Sequence, residues 1–116
     1  MNCIQVEKLQ ELLEMMDGDQ ACVTEIVREY LAAGSDCVAK LAQAVETEDA
    51  LNLKRVAHSF KSSSHYVGAV DLAGELAAIE AFANAENVAD AATRIEPVRR
   101  QYALAAAELE IWLQKV

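Results

Sequence analysis

Aromatic residues make up only 5% of this 116-residue chain, which holds one proline and four glycines. Strand-forming residues are few and never alternate cleanly with polar ones, which argues against a sheet. Abundant alanine, leucine and glutamate beside so few helix breakers is the composition of an all-helical protein. Cations are short as well: ten Lys and Arg stand against nineteen Asp and Glu, a net charge of −9. A general nucleic-acid binder needs a basic surface, and an anionic membrane would repel this one. No apolar run approaches the roughly 20 residues that span a bilayer, and no signal peptide is visible. The three cysteines, Cys3, Cys22 and Cys37, lack any C-x-x-C spacing. An odd number of thiols in such a chain implies reduced cysteines and a cytoplasmic protein. No metal-ligand pattern is present.

What the chain does have is apolar mass, 53% of its residues. That supplies the core of one domain, 1–116. Its apolar positions recur at helical spacing. Val6, Leu9, Leu12, Leu13 and Met16 mark a helix over about 4–16, ended by Asp17-Gly18 and followed by Asp19 as an N-cap. Val23, Ile26, Val27, Tyr30, Gly34, Cys37, Val38, Leu41 and Val45 keep one phase, predicting a helix over about 19–47 that can bend at Gly34. Cys37 falls on this stripe and reads as core. Further helices are expected over about 50–66, 69–84 and 88–115. Their inward positions are Leu72, Leu76, Ile79 and Ala83 in the second of these. In the last they are Val88, Ala92, Ile95, Val98, Tyr102, Ala105, Leu109 and Trp112. Pro97 should kink that last helix or remove one of its backbone bonds. Four long amphipathic helices with short loops predict an all-α, antiparallel up-down-up-down four-helix bundle, with the short first helix over one end. Alanines 69, 73, 77 and 83 would pack closely against alanines 103, 105 and 106. Tyr66 and Phe60 read as packing residues.

One helix carries chemistry. Residues three, four and seven apart share a face. Counted from His58, that face holds Lys54, Arg55, Lys61, Ser62 and His65. Leu53, Val56, Ala57, Phe60, Ser64 and Val67 lie opposite. A histidine would thus meet solvent within a basic, hydroxyl-rich patch on an acidic protein. An imidazole nitrogen so placed can receive and release a phosphoryl group, with Lys61 one turn away to offset phosphate charge. Gly68 follows the helix, where a left-handed residue is expected. His65 lies one heptad from His58, and solvation is its plainer reading. The sequence leaves open which ring nitrogen of His58 would react.

The run A-H-S-F-K-S-S-S-H-Y-V-G-A, residues 57–69, resembles the signature of histidine-containing phosphotransfer domains of bacterial phosphorelays. The matching positions are His58, the phosphoacceptor that the resemblance implies, with Lys61, Ser63 and Gly68. Ser62 stands where the family usually has glycine, and some members carry serine there. The resemblance implies receiver-domain partners: a hybrid histidine kinase upstream and a response regulator downstream, each with a reactive aspartate. Mg²⁺ is then expected on the receiver, with no cofactor or metal of this chain's own. The chain shows no G-x-x-x-x-G-K loop and no glycine-rich nucleotide lid. It is therefore expected to be a monomeric carrier rather than an enzyme that makes phosphohistidine from ATP. Lys54, Arg55, Ser62, Ser63 and His65 are the expected docking residues. Met1 and the complete helix set suggest a freestanding protein. Two rival readings differ in class. A non-catalytic helical adaptor would keep its function without His58, and a metal-binding bundle would need inward carboxylates near a histidine, which the stripes lack.

Overall fold

Asp19, Asp49 and Asn87 set where three of the helices begin. Each side chain accepts a hydrogen bond from the backbone N–H three residues on: Cys22 at 3.1 Å, Asn52 at 3.0 Å and Asp90 at 3.1 Å. These caps satisfy amide donors that the first turn of a helix leaves unpaired. The computed structural model describes residues 3–115; Met1, Asn2 and Val116, the ends of the expected 1–116 domain, lie outside it. Among the described residues the elements are α1 (Val6–Met15), α2 (Gln20–Glu46), α3 (Ala50–Tyr66), α4 (Val70–Asn84), α5 (Val88–Ala92) and α6 (Ile95–Lys115). None is a strand.

The four long helices form the expected antiparallel bundle, arranged as a ring α2–α3–α4–α6, with α1 packed on α2 and α3. Its extents are 42 × 24 × 21 Å, and the long one matches the length of α2. Leu53, Ala57, Phe60, Ser64 and Val67 of the α3 segment are buried, as are Leu72, Leu76, Ile79 and Ala83 of α4. The tight α3–α4 hairpin turns at Gly68, whose φ is +86°. Its carbonyl also accepts from the Gln5 N–H at 2.8 Å, and Glu108 of α6 accepts from Cys3 N–H at 2.5 Å. The segment before α1 is thereby tied both to the motif hairpin and to α6.

Several expectations shift. The last helix is two helices, interrupted at Thr93 and Arg94. Pro97 kinks nothing, because it sits in the first turn of α6, where its missing N–H has no helical partner to lose. The interruption also changes the phase: Ala91 is buried and Ala92 is exposed. Val6 and Tyr66 are more than half exposed. Ala77 and Ala103 face solvent and so drop out of the expected alanine packing, whereas Ala69, Ala73, Ala83 and Ala105 are buried.

Gly34 is fully helical, and α2 runs through it unbroken. Its place is fixed by space: a Cβ there would overlap the Tyr102 ring. Tyr102 in turn packs with Tyr30 and Phe60, all ring centroids 5.8–6.1 Å apart. Tyr30 and Ser64 exchange a hydrogen bond of 2.8 Å inside the core. This aromatic set lies under the helix that carries His58, and so fixes the height and rotation of α3.

Candidate functional site

The face opposite Phe60 and Ala57 must meet solvent, and His58 is on it. Its side chain is 63% exposed. Leu51, Arg55, His58, Ser62 and His65 are all exposed and follow one another at steps of four and three residues. They form the outermost ridge of α3. Lys54 and Lys61 lean toward α4. Ser59, Ser63 and Tyr66 lean toward α2, where they line a mostly apolar groove of about 320 Å³ together with Ile26, Ala33 and Gly34.

The α4 side holds the residue that the sequence reading missed. Glu80 places Oε2 at 2.8 Å from His58 Nδ1 and Oε1 at 2.5 Å from Lys61 Nζ. A carboxylate only accepts, so Nδ1 carries the hydrogen and donates it. The neutral ring then has its lone pair on Nε2, directed away from Glu80. Lys61, half-buried, holds the Glu80 carboxyl below the usual carboxylate range; desolvation opposes this, and His58 adds to the lowering. One turn further on, Lys54 donates to Asn84 Oδ1 at 2.9 Å.

A signal for both α4 residues existed. In a tight antiparallel hairpin, residues equally far from the turn face each other. His58 and Glu80 lie eleven residues either side of Ala69, and Lys54 and Asn84 lie fifteen. Counting outward from the Gly68 turn would have found both.

Of the other expected site residues, two share the ridge of His58. Ser62 and His65 are exposed, and His65 adjoins Lys8, Glu11 and Met15 of α1. Ser63 is half-buried and its hydroxyl donates back to the Phe60 carbonyl at 3.1 Å, a bond that costs the hydroxyl its free donor. Gly68 holds the turn: its φ is positive, and a Cβ would come within 2.5 Å of the Gln5 carbonyl oxygen. Cys37 is partly buried and burial pushes its thiol pKa up, which suits a core residue. Among the described residues, no group of three or more His, Cys, Asp or Glu is disposed to hold a metal ion. No described helix is long and apolar enough to cross a membrane.

An exposed histidine beside a paired cation on a helical bundle is an arrangement that suits a phosphohistidine carrier. Residues 25–115 match the Hpt domain family, and the chain belongs to that family. Its members are carriers of phosphoryl groups in phosphorelays, not kinases, and they work with receiver domains. The fold is similar to the crystal structure of histidine-containing phosphotransfer protein B from Pseudomonas aeruginosa, with a TM-score of 0.87 and 26% sequence identity. That similarity covers 97% of this chain and 96% of the other. No curated protein matches the chain significantly.

Proposed function

We propose that His58 accepts a phosphoryl group from the aspartyl phosphate of a hybrid-kinase receiver domain and passes it to the aspartate of a response regulator. The observation that carries this reading is the exposed His58 ring, held at Nδ1 by Glu80 so that its Nε2 keeps the lone pair. In the forward step the Nε2 lone pair attacks phosphorus. The bond from phosphorus to the aspartyl oxygen breaks, and that oxygen leaves as carboxylate. The Nδ1 hydrogen stays in place against Glu80. In the second step the new aspartate oxygen attacks phosphorus, the P–N bond breaks, and the ring departs as neutral imidazole because Nδ1 is still protonated.

Lys61 is one turn from His58 and near enough to the incoming group to balance its charge. It does so by exchanging Glu80 for a phosphoryl oxygen. The receiver would supply the Mg²⁺ that offsets phosphoryl charge on its own side of the transfer. Docking then involves Lys54, Arg55, Ser62, Ser63 and His65 of α3, with the facing edge of α2 across the apolar groove. A neighbouring carboxylate selects the reactive tautomer, a preorganisation that costs nothing at the moment of transfer.

The test is incubation with phosphorylated receiver domains. An acid-labile, base-stable label should appear on the native protein and on His65→Gln. It should be lost from His58→Gln, with helicity intact in both. Label kept by His58→Gln and lost by His65→Gln would overturn the assignment.

A further inference from the structure

The cations around His58 are not equivalent. Lys61 is neutralised by Glu80 at 2.5 Å, whereas Lys54 bonds only the neutral Asn84. Arg55 is exposed and forms no ion pair among the described residues. The uncompensated positive charge therefore lies on the N-terminal side of His58. Leu51 is there too, on the same ridge, and is 59% exposed. A shallow cavity of about 420 Å³ joins Leu51, Lys54, Arg55, His58 and Glu80 in one continuous surface. A single exposed leucine is ordinary. One bordered by two cations that no carboxylate pairs, and contiguous with the His58 ring, is a contact suited to an apolar side chain with acidic neighbours.

We infer that Leu51, with Lys54 and Arg55, is a specificity-determining docking patch for the receiver domain, separate from the groups that act on the phosphoryl group. This rests on the phosphotransfer reading above. The partner chemistry is specific: an apolar residue on the receiver rim, flanked by carboxylates. Distance permits it. Leu51 precedes His58 by seven residues, about 10 Å along the helix. A transient interface burying on the order of 500 Å² per partner reaches about 13 Å from its centre. A receiver centred on His58 therefore covers Leu51. Charge complementarity here sets encounter rate and register, and the leucine adds the apolar contact that separates one receiver from another.

The experiment follows phosphoryl transfer from the fastest donor in a panel of phosphorylated receiver domains, with receiver concentration varied. Phosphoramidate, a small donor that needs no docking, is used in parallel. Leu51→Ala should raise the half-saturating receiver concentration about fivefold, with little change in the maximal rate. Arg55→Ala should raise it several-fold and flatten its dependence on salt. Uptake from phosphoramidate should stay within about twofold of native in Leu51→Ala. Unchanged half-saturation in both variants would overturn the patch, as would an equal fall with both donors, which would place Leu51 in the chemistry or the fold. If the native protein takes phosphate from neither donor, the phosphotransfer reading itself falls and the patch with it.

Discussion

Removing Glu80 tests whether the carboxylate chooses the reactive nitrogen. The bond from His58 Nδ1 to Glu80 is 2.8 Å long and charge-assisted, a kind worth about 1.5–3 kcal/mol when shielded. His58 is 63% exposed, so solvent screening reduces that to about 1 kcal/mol. A bias of that size is about fivefold in the ratio of the two neutral tautomers. Glu80→Ala should therefore shift the ring population toward Nε2–H by about fivefold, read from the ¹⁵N shifts of the imidazole nitrogens. Phosphotransfer should slow by a similar or smaller factor, because the same change frees Lys61 to meet the phosphoryl group. Glu80→Gln separates the two effects. Its amide oxygen still accepts from Nδ1–H, but its negative charge is gone, so it should keep the native tautomer and transfer faster than Glu80→Ala. An unchanged tautomer ratio in Glu80→Ala would refute the reasoning, whatever the transfer rate does.

Three other outcomes follow from the packing and the titration. Gly34→Ala gains about 1 kcal/mol of helix propensity but overpacks the Tyr102 ring and strains its 3.1 Å bond to the Leu31 carbonyl, for a net loss of about 2 kcal/mol. The melting temperature should fall by about 8 °C, and a rise would mean that Tyr102 yields freely. Tyr30→Phe strands the buried Ser64 hydroxyl and should cost about 1–3 kcal/mol in urea unfolding, much of it recovered in Tyr30→Phe/Ser64→Ala. The Glu80 carboxyl, held below its ordinary value of 4.5 by Lys61 and then His58, stabilises the fold above that value and loses this contribution as pH falls through its depressed midpoint. A ¹³C titration should place that midpoint under 4.5, and one at or above it would mean that the carboxylate is not paired in solution.

Much of the architecture was legible because it depends on phase and punctuation. The α3 boundaries, Ala50–Tyr66, follow from Asp49 as a cap and Gly68 as a turn, both local features. The face of His58 follows from 3.6-residue periodicity alone. What stayed hidden was largely tertiary. Gly34 looks like a flexible point in the sequence, yet its role is to admit a ring from a helix that begins sixty-one residues later. Pro97 looks like a kink until the break at Thr93 and Arg94 makes it an N-terminal residue. That break falls at Thr93, whose carbonyl a continuous helix would bond to the N–H that Pro97 lacks, so the proline ends the helix one turn upstream of itself.

The hardest part to read was the site itself, and the reason is instructive. Every reacting or docking residue expected from the sequence lies on α3, because one helix and its turn are all that the motif describes. The chemistry is divided between α3 and α4. Lys61 alone reads as a free cation waiting for phosphate, but with Glu80 beside it the resting charge at that point is already balanced. Phosphate then competes with an existing partner, and the pull on an approaching acidic domain must come from Lys54 and Arg55. So the helix hairpin sorts the basic residues into two tasks that their spacing made look like one. Lys61 answers to the reacting group, and the N-terminal pair answers to the partner. The two should separate by experiment: Lys61→Ala should lower the maximal transfer rate, whereas Arg55→Ala should act on half-saturation and its salt dependence.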